Sequence, residues 1–285
     1  MKKYLLTIIV VIAASVVAYK YYLHNQQNPW TRDGQIRAQV VQITPRVTGE
    51  ITALNVYENR QVEKGELLFE IDRKPYELAL NKAKAANAQA AAVLSKAKNE
   101  MQRAKGLEAR SPGAVATLDL NNYQYAVDSA TADFLASKAA VDDAELNLSY
   151  TQVFAPANGF ITNLRHHVGA QVVANSAVVA LIDEDSFWVE GFFKETDLMG
   201  VKAKQEASVT LLSNSRDTLS GVVESVGHGI AKSDGSTGNE LLPNVNPSFQ
   251  WIRLAQRIPV RIKLTQLPQD IELRVGTTAS VQIHK

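Results

Sequence analysis

The chain has 285 residues, 30 Lys and Arg against 29 Asp and Glu, five His and no Cys. That length allows one or two domains of ordinary size, and the balanced charge excludes a basic nucleic-acid binder or an acidic tail as the main theme. The missing cysteines exclude disulfides, thiolate catalysis, Cys-ligated zinc, iron–sulfur clusters and lipid attachment through Cys.

The first expected element is a membrane anchor over residues 1–23. Lys2 and Lys3 precede an uncharged run from Tyr4 to Tyr19, and Lys20, Tyr21, Tyr22 and Leu23 follow it. A spanning helix needs about 20 apolar residues, with about 17 as the floor. The run reaches that floor if Lys20 snorkels to the interface. The leading lysines put the N-terminus in the cytoplasm. A cleaved signal peptide is the alternative, with Val16-Val17-Ala18 as the small-residue site. Both readings send everything after Asn25 across the membrane. Residues 24–41 then form a linker and a first barrel strand, since Gln35 to Val41 alternates.

Two stretches repeat. Pro45, Gly49, Ile51 and Leu54 match Pro156, Gly159, Ile161 and Leu164, and the match runs on through Val62 with Val172 and Gly65 with Asn175. Leu68 and Ile71 pair likewise with Val178 and Leu181. Gly and Asn tolerate positive φ best, so Gly65 and Asn175 read as one turn used twice. The intervening residues are β-branched and alternating. Two such short β units, residues 42–74 and 152–183, cannot each bury a core, so they are expected to pack on each other.

Residues 75–151 follow another rule. Tyr76 to Lys105 holds no Gly or Pro, and steps of four and three mark Tyr76, Leu80, Ala83, Asn87, Ala90, Leu94, Ala97, Met101 and Ala104. After Gly106, Pro112 and Gly113, a second run marks Leu120, Tyr123, Val127, Ala130, Phe134, Ser137, Val141, Ala144 and Leu148. These are coiled-coil seams, and together they predict an antiparallel helical hairpin. Each helix is about 34 residues, or ~50 Å at 1.5 Å per residue. Core helices of a globular bundle are the alternative; the narrow Ala-rich stripes favour an arm. Residues 184–285 turn back to β, with strands expected at Phe187–Phe193, Ala207–Leu212, Leu219–Val226, Val260–Leu264 and Thr278–Ile283. They predict a small barrel, interrupted by a Ser/Gly/Asn/Pro-rich loop from Ile230 to Gln250.

Chemistry-bearing motifs are scarce. His166 and His167 are adjacent and would face opposite sides of a strand. Asp183-Glu184-Asp185 lacks the spacing of a calcium loop. No nucleophile elbow, zincin motif or dinucleotide fingerprint occurs. No catalytic, metal or cofactor site is expected.

The nested order of anchor, β half, helical hairpin, β half and barrel resembles the HlyD-type periplasmic adaptor, or membrane fusion protein, family. The quoted stretches are Pro29-Trp30-Thr31-Arg32-Asp33-Gly34, Ile43 to Gly49, Asn59 to Gly65, Ala155 to Gly159 and Trp251 to Arg261. They are most similar to the subgroup of aromatic carboxylic acid efflux adaptors. The resemblance implies a mainly β, non-enzymatic chain. It implies a split lipoyl-like domain, an inserted hairpin and a C-terminal barrel, held by a single pass in the inner membrane with its bulk in the periplasm. It also implies a homo-oligomeric ring that links an inner-membrane transporter to a TolC-like outer-membrane channel, with no nucleic acid. The family's tip pattern maps onto Arg103 and Leu107. Ala114 stands where a Ser is usual, and Ala116 or Thr117 is the displaced equivalent. From the residues alone, Leu107 could instead close the seam against Leu118 or Leu120. Trp251, Arg253, Arg257 and Arg261 are the expected transporter contact, with a salt-bridged surface strand as the alternative. A lipoyl or biotinyl carrier would modify a Lys in the turn that here holds Lys74, but that residue starts a helix. A structural envelope tether is the remaining rival.

Overall fold

A computed structural model describes residues 11, 12, 14–16, 28–214, 216–228, 255–265 and 271–285. The expected anchor at 1–23, the loop from Ile230 to Gln250, and Trp251 and Arg253 lie outside the described residues, apart from isolated positions of the first. Among the described residues no helix is long and apolar enough to cross a membrane. The chain divides into two units, residues 40–183 and residues 1–39 with 184–285.

Strand β1 (Trp30–Arg37) belongs to the second unit; the first unit begins with β2 (Val40–Ile43), β3 (Gly49–Leu54), β4 (Gln61–Val62) and β5 (Leu67–Ile71). After the helices come β6 (Gln152–Phe154), β7 (Gly159–Thr162), β8 (Gln171–Val172) and β9 (Val179–Asp183). They form two four-stranded sheets, β2-β9-β7-β4 and β6-β5-β3-β8. Each sheet therefore takes its two central strands from one repeat and its two outer strands from the other.

The repeat is carried down to single hydrogen bonds. Gly65 N–H donates to Ala155 O at 2.8 Å, and its equivalent Asn175 N–H donates to Pro45 O at 2.8 Å. Asn59 N–H reaches Ile161 O at 2.9 Å, as Gly169 N–H reaches Ile51 O at 2.8 Å. Gly65 and Asn175 both hold positive φ, 86° and 64°, as the sequence predicts, and Asn59 and Gly169 make a second such pair at 64° and 91°. The paired apolar positions Ile51 with Ile161, Val62 with Val172, Leu68 with Val178 and Ile71 with Leu181 are all buried in one core.

The hairpin is inserted between β5 and β6. Helix α1 spans Lys74–Arg110 and α2 spans Thr117–Ser149. Pro75 sits in the first turn of α1, where a missing N–H costs nothing. Every expected seam position is buried or half-buried, while most of the other helix positions are exposed. Leu94, Ala97 and Ala130 form its centre with Val127 and Phe134. Ser137 Oγ donates to Asn87 Oδ1 across the seam at 3.0 Å, and Lys84 pairs with Glu145 at 3.1 Å. The base is tied to the sheets. Ile71 N–H donates to Thr151 O at 2.8 Å, Tyr76 Oη to Thr48 O at 2.6 Å, and Arg46 stacks over Tyr150 while donating to its hydroxyl at 2.9 Å.

The second unit is a closed six-stranded barrel in the order β1-β10-β13-β12-β11-β14. The later strands are β10 (Trp188–Lys194), β11 (Glu206–Leu211), β12 (Thr218–Val226), β13 (Arg257–Leu264) and β14 (Thr278–Ile283). Closure removes the unpaired edges that a small sheet would otherwise expose. The one alternating run expected from Gln35 to Val41 is two strands. Residues up to Arg37 pair with β10 and β14 in the barrel, whereas Val40 onward pairs with β9. β1 also starts earlier than its alternation suggests, because its register shifts between Thr31 and Gly34. Gly34 allows this, since a Cβ there would stand 2.7 Å from Ala279 O.

Gly49 and Gly159 start β3 and β7 and lack positive φ, so they are close-approach positions rather than turns. A Cβ at Gly49 would meet the Ile71 side chain at 2.5 Å, and one at Gly159 would meet the Ile182 carbonyl oxygen at 2.0 Å. Gly49→Val and Gly159→Val should each destabilise this unit through overpacking, by roughly 1–3 kcal/mol or more, and lower its melting temperature accordingly. Gly159→Val should cost more, because backbone cannot rotate away as the Ile71 methyl can. Thermal melts of the two variants check the order.

Candidate functional site

The free end of the hairpin is built by a glutamate. The seam steps on from Ala104 to Glu108, which is only half-exposed. Its carboxylate accepts the Gly113 N–H at 2.8 Å and the Val115 N–H at 3.0 Å. Gly113 supplies the positive φ, 86°, that the loop needs to turn back. Ser111 N–H donates to Leu107 O at 2.9 Å and Ala114 N–H to Ser111 O at 3.0 Å. The loop is thus closed by polar groups, with a carboxylate replacing a seam leucine.

The expected tip residues fall around this clamp. Arg103 is exposed on α1, its Nε 3.4 Å from Asn99 O. Leu107 is 51% exposed and Leu118 69% exposed, too open to act as a seam cap. Ala114 lies in the loop, Ala116 is the N-cap of α2 with extended backbone, and Thr117 is the first residue of that helix; all three are exposed. The tip therefore presents two leucines and several small side chains on a fixed loop. Glu108 is a loop-fixing residue one step beyond the last expected seam position. Its signal is a Glu on the next seam step after Ala104, four residues before Pro112 and five before Gly113.

The second expected contact lies on the barrel. Arg257 and Arg261 are exposed on β13. Arg257 pairs with Asp33, and Arg261 pairs with Glu224 at 2.7 Å while lying over the Trp188 ring, 4.1 Å from its centre. Both are side chains of a salt-bridged surface strand, about half exposed. His166 and His167 lie in the loop after β7 rather than on a strand, with His166 Nδ1 3.4 Å from Val178 O. Among the described residues no group of three or more His, Asp or Glu is placed to hold a metal ion. Lys74 opens α1, and Asp72 caps its backbone N–H at 3.1 Å.

Known proteins give this arrangement a class. Residues 39–184 match the family described as RND MFP, barrel-sandwich hybrid domain, and residues 186–284 match the AAEA-like beta-barrel domain. The chain belongs to the membrane fusion protein family, whose members are non-enzymatic structural linkers. It is 37% identical over 281 residues to the uncharacterized protein YdhJ of Escherichia coli K12, covering 99% of this chain and 97% of that one. It is similar to the crystal structure of MacA from Actinobacillus actinomycetemcomitans, at 25% identity and a TM-score of 0.70, covering 90% of this chain and 80% of that one. A MacA-MexA chimera carrying the Pseudomonas aeruginosa MexA alpha-hairpin domain gives 26% identity and a TM-score of 0.62, with 90% and 80% covered.

The Gly113 N–H, followed by that of Val115, holds the Glu108 carboxyl below the usual carboxylate range. A group whose folded pKa is lowered stabilises its surroundings above its ordinary value, here 4.5, and loses that effect as pH falls through the folded value. Amide exchange at Gly113 and Val115, referred to the intrinsic rates, should therefore be protected at pH 6 and lose protection below about pH 4.5. Glu108→Ala should remove the protection at every pH while the melting temperature stays put, and exchange measured by NMR or mass spectrometry checks it.

Proposed function

We propose that the chain is the periplasmic adaptor of a tripartite efflux pump. It links an inner-membrane transporter to a TolC-like outer-membrane channel, working as a homo-oligomeric ring held in the inner membrane by residues 1–23. The observation that carries this reading is the hairpin tip. An exposed Leu107 and Leu118 flank a loop that Glu108 fixes in one shape, at the end of an arm whose base is hydrogen-bonded into a rigid sandwich. Apolar side chains on a preorganised surface bind at low ordering cost. Arg103, Leu107, Ala114, Ala116 and Thr117 form the channel contact. Small side chains at the last three let another helix end approach the backbone closely. Membership of a family of structural linkers supports an adaptor over a carrier or an enzyme. The exported compounds are small aromatic carboxylic acids, as the stretch from Trp251 to Arg261 favours, with drugs as the second class.

Leu107→Ser and Arg103→Asp should each cut export by tenfold or more in cells, with the purified proteins melting as the parent does and still cross-linking to the transporter. Normal export by both variants would defeat the docking site.

The transporter contact is Trp251, Arg253, Arg257 and Arg261 on and before β13. Arg257 and Arg261 are partly spent on Asp33 and Glu224, so Trp251 and Arg253 are the sharper probes. Replacing both with Ala should lower export several-fold at an unchanged protein level, read by substrate accumulation and immunoblot.

A further inference from the structure

One end of the barrel holds an apolar side chain out into solvent. β1 starts there with Trp30 opposite Gln282 of β14, β10 finishes there with Lys194 opposite Arg257 of β13, and β11 starts there with Glu206. After β10 the chain makes one turn of 3-10 helix, Glu195–Asp197, and then reverses over Leu198 to Val201. Val201 N–H donates to Leu198 O at 3.0 Å, and Gly200 between them has a φ of 83°. Met199 has no positive φ, so the reversal is a type II turn with Met199 at its apex.

The turn is tied on every side. Leu198 and Val201 pack on the barrel core. Gln205 Nε2 donates to Gly200 O at 3.2 Å, while its Oε1 accepts the Lys202 N–H at 3.0 Å. Lys285 Nζ donates to the Met199 carbonyl oxygen. Met199 itself is 87% exposed, more than any other large apolar side chain among the described residues. Turn positions ordinarily carry small or polar residues. Here a long thioether stands on a fixed turn with no core to join.

The surroundings suit a lipid surface. Trp30, 51% exposed, shares this end of the barrel, and the Arg32 guanidinium lies 5.1 Å from its ring centre. Tryptophan collects where membrane meets water. Arg32, Lys194, Lys202, Lys204 and Lys285 are exposed here and in no ion pair among the described residues. Glu195, Asp197 and Glu206 are the carboxylate side chains at this end, apart from Asp33, which pairs with Arg257. Cations prevail, and Lys202 and Lys204 follow the apex directly. Each basic residue near an anionic lipid surface strengthens binding to it.

The path of the chain sets the distance. Asn28 Oδ1 accepts the Lys285 N–H at 3.3 Å, so one residue links Asn28 to the Met199 turn. Five residue steps lead from Leu23, the end of the expected anchor, to Asn28, and they span at most about 18 Å. An anchor over residues 1–23 therefore keeps this end of the barrel at the membrane surface.

We propose that the Met199 turn enters the bilayer that holds the anchor. Met199 is buried among the acyl chains of an anionic membrane, Trp30 lies at headgroup level, and Lys202, Lys204 and Lys285 meet lipid phosphates. Anchor and turn make two attachments to one surface, and the second is strengthened by the nearness that the first supplies. The inference rests on the adaptor reading for the anchor, which brings the bilayer within reach.

The chain lacks cysteine, so one introduced thiol takes a label alone. Full-length Met199→Cys carrying bimane is reconstituted in vesicles of phosphatidylethanolamine and phosphatidylglycerol that contain no other protein. Its fluorescence should fall about twofold when lipids brominated on their acyl chains replace ordinary ones, as for any group below the headgroups. The same label at Leu212→Cys, exposed at the other end of the barrel, should not respond. Adding Lys202→Glu and Lys204→Glu to Met199→Cys should weaken the quenching, and so should phosphatidylcholine in place of phosphatidylglycerol. A label at Ala203→Cys keeps the methionine, and there Met199→Asp should abolish the response. Melts confirm that each variant is folded. No quenching at Met199→Cys, equal quenching at Leu212→Cys, or a response at Ala203→Cys that survives Met199→Asp would each overturn the proposal. Quenching that needs a co-reconstituted transporter would overturn it too, since the turn would then bind protein. The anchor is scored separately by washing the vesicles with alkaline carbonate. A chain that stays bound but is not quenched keeps the anchor and loses the Met199 contact, and a chain that is quenched before the wash and released by it does the reverse.

Discussion

Neither β repeat can complete a sheet alone, and the rest of the chain depends on that constraint. Each sheet needs outer strands from the other half, and the crossings are backbone hydrogen bonds duplicated about the same local axis. The outward-facing N–H and C=O groups of each half's central strand pair are satisfied by outer strands from the other half. Side chains at the crossings are correspondingly paired: Ile51 with Ile161, Val62 with Val172. The glycines at the strand starts are held by the same geometry, since Ile71 and Ile182 occupy the space that a Cβ would need. The interlock is what makes a firm base for two helices of 37 and 33 residues.

The hairpin has little core of its own. Its seam mixes alanines with single larger side chains, and its buried centre is only Leu94, Ala97 and Ala130 with Val127 and Phe134 against them. Its two ends are ordered by polar contacts instead. At the base, Tyr76, Arg46, Tyr150 and Thr151 bond into the sheets. At the tip, Glu108 stitches the loop. Between them the two helices are sorted by charge, basic residues prevailing on α1 and acidic ones on α2.

Much of this was legible in the sequence because it is periodic or local. The seam positions follow from steps of three and four, since only one face of each helix can be covered. The positive-φ pair Gly65 and Asn175 follows from the two residue types that tolerate it. What sequence reading missed was set by distant partners. The run from Gln35 to Val41 alternates throughout, so alternation could not reveal that Arg37 and Val40 join different sheets. Arg257 and Arg261 find Asp33 and Glu224 only because the barrel sets β12 beside β13 and β1 one strand further on, across β10, and nothing local encodes that. At the tip, Glu108 was hidden by the assumption that a seam ends where apolar residues end; the clamp it makes is with N–H groups that every residue carries.

The split of the repeat by the hairpin bears on how the chain assembles. β5 ends at Ile71 and its neighbour β6 begins at Gln152, so the strands that must meet are separated by the whole insertion. Closing a flexible loop of that length costs about 2 kcal/mol more than closing a tight turn. The two helices zip by contacts between residues that are near each other at every step from the Gly113 loop outward. Once they have zipped, Arg73 and Tyr150 are already neighbours. The arm then acts as an internal splint, handing the second half of the sandwich to the first at high effective concentration. It turns a slow, long-range closure into a short one.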